Sequence, residues 1–372
     1  MGPFPHDALP AEISDLNPAG TDGFAFVEFA HPEPAQLDAL MRTMGFSPVA
    51  RHRARDVTLW RQGDVRYLVN KAAGSYASRF LAAHGPCAVG MGWHVVDPAY
   101  AFERAVGLGA KPAPRDQGAL ALDAPAIEGI GGSVIYFLPQ GEAGLMAEFE
   151  AVAGAEPRPE GAGLRYIDHL THNVQRGRMD HWAGFYERLF NFKEIRFFQI
   201  EGKYTGLHSR ALTSPCGKIR IPINESADAR SQIEEYLRLY NGEGIQHVAA
   251  GCTDVYATVE RLRRTGLPFM PRPPAAYYDK VDARVPGHGE PVERMREAGL
   301  LVDGEGVDGG AQTKVLLQIF SGTVLGPIFF EFIQRKGDDG FGEGNFRALF
   351  ESIEEDQVRR GVLGDAPAQA AE

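Results

Sequence analysis

Two short apolar segments near the end of the chain, residues 315–320 and 328–335, are rich in residues that favour β-strands. The loop between them contains Gly322, Gly326 and Pro327, so the pair is predicted to form a hairpin. Side-chain alternation places Gln318 on one strand and Glu331 on the other, each among apolar neighbours. A buried carboxylate is costly unless a partner compensates it, so Glu331 predicts a partner elsewhere in the chain.

The same order of strand, helix, strand and helix occurs twice upstream. The first copy comprises residues 23–29, 34–44, 90–96 and 97–109, and the second 164–171, 179–190, 244–250 and 254–266. Asp97 and Asp254 are predicted helix N-caps, with a glycine at the other end of each helix. The two helices have equal cap-to-cap lengths (109 − 97 = 12 and 266 − 254 = 12). This agreement indicates an internal repeat.

The repeat predicts an α+β protein of two related modules. The first closes with strands at 133–138 and 145–150, and the second with the hairpin; insertions are expected at 210–241 and 275–310. The predicted organisation is a flexible arm (1–20), an N-terminal module (21–155), a linker (156–163), a C-terminal module (164–335), a turn and helix (336–361) and a disordered tail (362–372).

Superposing the two copies identifies three candidate metal ligands. His169 falls opposite Phe29, His247 opposite Trp93, and Glu331 opposite Glu148. Two imidazoles and one carboxylate are typical of non-haem Fe(II) oxygenases, although zinc or manganese also suits them. A single histidine on an apolar strand is more often an ordinary core residue, but three such positions in one copy favour a metal. The first copy lacks both histidines, so no metal is expected there.

Three further polar residues lie close to these candidate ligands in the sequence. His172 is a competing ligand, but alternation places it on the opposite strand face from His169. Asp168 and Arg335 flank the ligand strands and are expected to support them.

Composition and charge narrow the possible partners. The 372 residues are 44% hydrophobic and carry a net charge of −11, which disfavours nucleic acid and anionic membranes. The N-terminus has no signal-peptide pattern, and no apolar run is long enough to span a membrane. Three cysteines without close spacing favour reduced thiols and a cytoplasmic location.

Seven stretches together resemble the 4-hydroxyphenylpyruvate dioxygenase family of the vicinal oxygen chelate superfamily. They are residues 167–173, 221–225, 231–235, 244–248, 316–320, 330–335 and 340–346. The resemblance covers about residues 23–361. It implies two modules of repeated βαβββ units, with the C-terminal one forming an open barrel around the metal.

The resemblance also implies a substrate pocket. His169, His247 and Glu331 correspond to the family's Fe(II) ligands. Ser209, Asn224 and Gln232 match catalytic residues on the phenol side of the substrate, and Gln318 matches a glutamine beside the metal. Phe320, Phe341, Phe346 and Asn345 match substrate-binding residues, and the terminal helix is expected to act as a gate. Without the resemblance, these would be taken for ordinary turn, surface or core residues.

The implied reaction converts 4-hydroxyphenylpyruvate and O2 to homogentisate and CO2, in a homo-oligomer. The alternatives are hydroxymandelate synthase, which uses the same substrate, an extradiol ring-cleaving dioxygenase, and a small-molecule binding protein on the same scaffold. The motifs at Asn224 and 340–346 argue against ring cleavage, and the intact triad argues against a binding protein.

Overall fold

A computed structural model describes residues 5–201, 206–305, 314–342, 344–345, 357–358 and 361. Phe346 and most of the predicted terminal helix and tail lie outside these residues. Within the described part of the chain, no helix is both long and apolar enough to cross a membrane.

The first half of the chain supplies one sheet and four α-helices. Its strands are β1 (Thr21–Ala30), β2 (Ser47–His52), β3 (Val57–Gln62), β4 (Val65–Asn70), β5 (Cys87–Val95), β6 (Ala126–Glu128), β7 (Val134–Pro139) and β8 (Phe149–Ala151). Its helices are α1 (Pro34–Thr43), α2 (Tyr76–His84), α3 (Pro98–Gly107) and α4 (Ala143–Met146).

The second half repeats this order with additional helices. Its strands are β9 (Leu164–Val174), β10 (Lys193–Glu201), β11 (Gly206–Thr213), β12 (Arg220–Ser226), β13 (Gly244–Cys252), β14 (Leu301–Glu305), β15 (Lys314–Phe320) and β16 (Phe329–Lys336). Its helices are α5 (Met179–Phe190), α6 (Gln232–Leu239), α7 (Val255–Arg264), α8 (Ala275–Tyr278), α9 (Val281–Arg284) and α10 (Val292–Ala298).

Each half forms one eight-stranded sheet. The strand orders are β6-β7-β5-β1-β4-β3-β2-β8 and β10-β11-β12-β9-β13-β16-β15-β14. In each sheet two units meet at an antiparallel pair, β1 with β5 or β9 with β13. The second sheet curls into a half-barrel. The predicted fold class of repeated βαβββ units is confirmed.

The repeated helices α3 and α7 begin as predicted. Asp97 accepts a hydrogen bond from the Tyr100 backbone N–H at 3.0 Å, and Asp254 accepts one from that of Ala257 at 3.0 Å. Each helix is ten residues long and ends before the predicted glycine, which has a positive φ. Equal caps therefore produce equal helices.

The strand registers correct the superposition of the two copies. His247 and Gly90 each lie seven residues before the N-cap aspartate (254 − 247 = 7 and 97 − 90 = 7). Gly90 pairs with Val134 and His247 with Phe329, so Glu331 corresponds to Tyr136. His169 pairs with Ala249, and Phe26 with Gly92, so His169 corresponds to Phe26.

The predicted counterparts Phe29, Trp93 and Glu148 were therefore wrong. The sequence comparison slipped the register by three residues at Phe29 and Trp93 (29 − 26 = 3 and 93 − 90 = 3). It placed the counterpart of Glu331 twelve residues too late, beyond β7 (148 − 136 = 12). In the first sheet the rings of Phe26 and Tyr136 lie 5.4 Å apart where the second sheet has ligands.

Two other local predictions were wrong. The expected strand at 145–150 is helix α4 followed by β8. The expected insertion at 210–241 is not an insertion, because it contains β12 and α6, the counterparts of β4 and α2. The extra material at 275–310 is real and includes the three short helices α8, α9 and α10.

Several residues of the N-terminal segment, the predicted flexible arm, contact the body of the protein, although Leu9 and Leu16 are exposed. The His6 ring stacks on Tyr166 with centroids 3.6 Å apart. Lys218 Nζ donates to the Ala8 carbonyl at 3.2 Å, and Asn17 is buried. Backbone carbonyls and one aromatic contact hold this segment, and hydrophobicity patterns do not reveal such contacts.

The hydrophobic core is continuous between the two sheets. Phe330 of β16 packs against Phe29 at 5.9 Å and against Tyr67 at 6.1 Å, measured between ring centroids. The opposite face of β16 carries Glu331. The first half of the chain therefore supports the back of the strand that holds the candidate ligand.

Candidate metal centre

The three predicted ligands lie on three neighbouring strands of the second sheet. Ala249 of β13 is directly opposite His169 of β9 and also directly opposite Glu331 of β16. Directly opposed residues share a sheet face, and so does His247, two residues before Ala249. The small Ala249 side chain leaves space between the ligands. Sequence analysis missed Ala249, since an alanine in a strand gives no functional signal.

The ligand atoms converge. Nε2 of His169 lies 3.1 Å from Oε2 of Glu331, and Nε2 of His247 lies 3.4 Å from the same oxygen. One ligand atom from each residue lies within 4.8 Å of the other two. All three side chains are buried. The set therefore suits a divalent metal ion, which would compensate the buried carboxylate.

Neighbouring polar groups orient both imidazoles. Nδ1 of His169 lies 2.9 Å from Oδ1 of Asp168, and Nδ1 of His247 lies 3.1 Å from Oε1 of Gln246. An acceptor at Nδ1 fixes the proton there and leaves the lone pair of Nε2 for a metal. Nε2 of His247 also lies 3.0 Å from the hydroxyl of Thr171. The phenyl ring of Phe329 stacks on His247 at 4.7 Å and restricts its rotation.

The carboxylate and the two imidazoles of the centre shift one another's pKa values. Burial raises the pKa of Glu331, but the charge and hydrogen bonds of His169 and His247 outweigh it and lower that pKa to about 2. Burial lowers the pKa of His169, but Glu331 and Asp168 outweigh it, so the pKa is raised. Burial lowers the pKa of His247. The carboxylate is thus ionised and ready to bind a cation.

A buried ion pair lies behind His169. Arg335 donates from Nε to Oδ2 of Asp168 at 2.7 Å and from Nη2 to Oδ1 at 2.8 Å. Both side chains are fully buried. Burial raises the pKa of Asp168, but Arg335 outweighs this and holds it well below its usual range. Asp168 and Arg335 thus support the ligand strands, as expected from their positions.

Gln318 and Asn345 lie on the other side of Glu331. Gln318 Nε2 donates to Oε1 of Glu331 at 3.2 Å, and Asn345 Nδ2 donates to Oε1 of Gln318 at 3.2 Å. Gly342 packs directly on this glutamine, since a Cβ there would lie 1.9 Å from Gln318 Oε1. Sequence analysis predicted both amides, but not that they form one chain.

Two of the predicted aromatic residues border the triad. Phe341 lies 5.4 Å from the His169 ring and Phe320 lies 6.4 Å from the His247 ring, measured between centroids. Both are buried. Phe346, the third, is outside the described residues.

The structure places two of the three residues predicted for the phenol side opposite each other in the sheet. Ser209 and Asn224 are opposed on β11 and β12, and both are buried. Ser209 Oγ and Asn224 Oδ1 have no hydrogen-bond partner among the described residues. Asn224 Nδ2 also lies 3.4 Å from Oε1 of Gln246, which links it to His247. Gln232 is only partly buried, at the start of α6.

His172 does not join the centre. Its Nε2 lies 2.7 Å from the hydroxyl of Tyr186, on α5. Burial lowers the pKa of His172 to about 3, so its ring is neutral. It is a core histidine with a hydrogen-bond partner, as its strand face indicated.

Comparisons with known proteins agree with this geometry. The family profile described as hydroxyphenylpyruvate dioxygenase, HPPD, N-terminal matches residues 16–145. The profile of the glyoxalase/bleomycin resistance protein/dioxygenase superfamily matches residues 166–286. A 4-hydroxyphenylpyruvate dioxygenase from Pseudomonas aeruginosa is 53% identical over 95% of this chain and 99% of its own length.

Two solved structures share the fold. One is a fusion of a xylose isomerase-like TIM barrel with a 4-hydroxyphenylpyruvate dioxygenase, with a TM-score of 0.77 and 30% identity over 90% of this chain and 52% of that chain. The other is a mutant of 4-hydroxymandelate synthase from Streptomyces coelicolor, with a TM-score of 0.76 and 25% identity over 91% of this chain and 99% of that chain.

The repeated units and the buried site on the second sheet define a member of the vicinal oxygen chelate superfamily. Identity extends over nearly the whole chain and the whole length of the Pseudomonas relative. The chain belongs to the 4-hydroxyphenylpyruvate dioxygenase family.

Proposed function

We propose that this chain is an Fe(II)-dependent dioxygenase that converts 4-hydroxyphenylpyruvate and O2 to homogentisate and CO2 in tyrosine and phenylalanine catabolism. The observation that carries the proposal is the buried set of His169, His247 and Glu331 in a chain 53% identical to a 4-hydroxyphenylpyruvate dioxygenase. We propose these three residues as the iron ligands. When bound, iron supplies the chelation of a 2-oxo acid and the chemistry with O2 that side chains lack.

Three protein ligands leave positions open for substrate. The 2-oxo acid arm of 4-hydroxyphenylpyruvate offers two oxygens to such positions, so no second 2-oxo acid is needed. The amide of Gln318, held against Glu331, lies beside the centre and fixes the carboxylate. The chain thus contributes orientation, and the substrate contributes its own chelating group.

The unpaired polar atoms of Ser209 and Asn224 support a role in binding the phenol. A buried hydroxyl and a buried amide oxygen without partners are costly unless a ligand completes them. A substrate hydroxyl both donates and accepts, which matches this pair. Gln232 is proposed to join them when substrate binds.

Phe320 and Phe341 are proposed as walls around the aromatic ring of the substrate, with Phe346 expected to extend them. Both described rings are buried beside the ligand histidines. An apolar enclosure excludes water and so protects reactive species from side reactions. The terminal helix is proposed as the gate of this enclosure.

The second candidate is 4-hydroxymandelate synthase, since a mutant of that enzyme shares the fold at a TM-score of 0.76. Its identity to this chain is 25%, against 53% for the Pseudomonas dioxygenase. The difference favours homogentisate as the product. The proposed enzyme is a cytoplasmic homo-oligomer.

The test is oxygen uptake by the Fe(II)-loaded protein with 4-hydroxyphenylpyruvate alone, with chromatographic identification of the product. Homogentisate supports the proposal, and hydroxymandelate would replace it by the second candidate. Glu331→Ala and His247→Ala are expected to abolish iron-dependent turnover. Asn224→Ala is the matched variant: it should weaken turnover while bound iron stays at the wild-type level.

A further inference from the structure

We propose that Arg284 and Tyr277 are positioning residues that set the direction of the amide chain behind Glu331 and so determine which carboxylate oxygen faces the metal. The inference rests on the metal site of the proposed function. It assigns a role to the extra helices of the second half, since Tyr277 lies on α8 and Arg284 ends α9. Among the described residues, the first half has no group of ligand side chains like that of the second, and it has no α-helix between α3 and β6.

Donors from both helices converge on one atom of Asn345. The Tyr277 hydroxyl donates to Oδ1 of Asn345 at 2.7 Å, and Arg284 Nη1 donates to the same oxygen at 3.3 Å. The hydroxyl itself accepts from Arg284 Nη2 at 2.7 Å and from the Val302 backbone N–H at 2.9 Å. With two donors directed at its oxygen, the hydroxyl keeps its own proton to donate. Asn345 Oδ1, at 2.7 Å, is the nearer acceptor; the Val302 carbonyl lies at 3.1 Å and already accepts from Arg284 Nη2 at 2.8 Å.

Arg284 determines which end of the Asn345 amide faces it. A guanidinium only donates, whereas an amide side chain can present either its oxygen or its NH2. Two donors at one point therefore require the oxygen of Asn345 there and turn its NH2 toward Gln318. A reversed Asn345 would place NH2 against both donors, at the cost of unsatisfied polar groups.

The orientation of the Asn345 amide determines that of Gln318, which in turn orients the candidate ligand Glu331. Asn345 Nδ2 donates to Gln318 Oε1, which leaves Gln318 Nε2 to donate to Oε1 of Glu331. Oε1 is thereby occupied on the amide side, and Oε2 is the atom that faces His169 and His247. The chain from Arg284 to Glu331 thus favours ligation through Oε2 alone.

Because the amide chain is buried, reversing the direction of its hydrogen bonds would be costly. Asn345 is 0% exposed and Gln318 and Glu331 are each 2% exposed, so solvent offers them little alternative hydrogen bonding. The arginine side chain is 27% exposed. A substitution of Arg284 therefore removes the directing donor near the surface without opening a cavity in the core.

The first test is the affinity of the metal-free protein for Fe(II), measured without oxygen or substrate by competition with a chelator. Arg284→Gln replaces the donor-only group by an amide that can accept, and should weaken Fe(II) binding about tenfold, at the low end of the effect of groups that orient ligands. Arg284→Lys keeps a donor-only cation and should recover part of the loss. Arg294→Gln is the matched control, because Arg294 lies exposed on α10 of the same insertion and contacts Tyr256 instead.

The second test separates direction from stability. Asn345→Asp keeps the size and places a carboxylate beside Arg284, so thermal unfolding of the metal-free protein should stay at or above the wild-type temperature. The carboxylate has no NH2 for Gln318, so Fe(II) affinity should fall at least tenfold. A residue with only a structural role would change both quantities together.

The outcomes are distinguishable. Wild-type Fe(II) affinity in folded Arg284→Gln and Asn345→Asp would overturn the inference and leave the proposed function standing. An equal loss in the Arg294→Gln control would also overturn it, since the effect would then belong to the insertion as a whole. A wild-type protein that binds no Fe(II) would overturn the proposed function, and the inference with it.

Discussion

Asp168 shows how one carboxylate serves two neighbours. It accepts from His169 Nδ1 and is also held by two hydrogen bonds from the buried Arg335. Arg335 continues to the carbonyl of Asp338 at 3.1 Å, in the segment that carries Phe341 and Gly342. One ion pair therefore both orients the candidate ligand His169 and positions this segment.

Asp168→Asn is expected to weaken Fe(II) binding by roughly 10- to 100-fold, because His169 loses the carboxylate that fixes its ring. It should also lower the free energy of unfolding by about 3 kcal/mol or more, because Arg335 stays buried without its counter-charge. Chelator competition and denaturant unfolding measure the two effects. Wild-type iron affinity in the folded variant would contradict the role of Asp168.

At the scale of single residues, the sequence revealed polar groups in apolar strands and little else. His169, His247 and Glu331 stand out for that reason, and Gln318 was found on the same strand pattern. Ala249, Tyr277 and Arg284 were missed. A small side chain in a strand is ordinary in sequence, and so are a tyrosine and an arginine in an insertion. Their roles arise from contacts between segments far apart in the chain.

Gly342, between β16 and Asn345, lies beside the candidate metal centre. Gly342 touches Gln318 on one side and borders a polar cavity of about 490 Å3 on the other. The other lining residues of this cavity include Arg196, Asp303 and Lys314.

Gly342→Ala should lower Fe(II) affinity and turnover, because its methyl would displace either Gln318 or the segment and break the Asn345–Gln318 hydrogen bond. Gly337→Ala is the matched control. Both glycines have a positive φ (74° and 86°), so both variants should lose about 1 kcal/mol of stability. Only Gly342 contacts Gln318, since a Cβ at Gly337 would meet the Lys314 side chain at 3.6 Å. Equal iron affinity in both variants would contradict this account.

At the scale of elements, strand and helix positions followed from hydrophobic periodicity and caps. The hairpin of β15 and β16 and helix α5 occur as predicted. The comparison of the two copies failed at their register, because the start of a strand is poorly defined in sequence. Strands β5 and β13 are both nine residues long, but β5 begins at Cys87, three residues before the predicted start at residue 90. Hydrogen-bond pairing was needed to find that Phe26, Gly90 and Tyr136 are the counterparts of the ligands.

The two halves differ in the charge that they bury. In the first sheet, Glu28 is 1% exposed and accepts from Asn70 Nδ2 at 2.7 Å and from the Tyr136 hydroxyl at 2.9 Å. Among the described residues, no cation forms an ion pair with it. Burial, only partly offset by these hydrogen bonds, raises the pKa of Glu28 to about 7.

This raised pKa predicts a pH-dependent stability. The folded protein holds the Glu28 proton more tightly than the unfolded chain, whose pKa is near 4.5. The Glu28 contribution is therefore fully present below about pH 4.5 and is lost as pH rises to about 7, on the order of 3 kcal/mol. Denaturant unfolding of wild type and Glu28→Gln across this range measures it. The difference between the two proteins should change with pH, and a constant difference would contradict the prediction.

Phe330 packs the second half of the chain against the first. Its ring touches Phe29 and Tyr67 of the first sheet, one residue before the ligand Glu331. A change of volume at any of these three positions shifts the backbone that carries the ligand, because a packed core transmits strain. Related proteins are therefore expected to have exchanged residues at 29, 67 and 330 in concert, so that the packing residues of the first half have evolved under the demands of the candidate metal centre in the second.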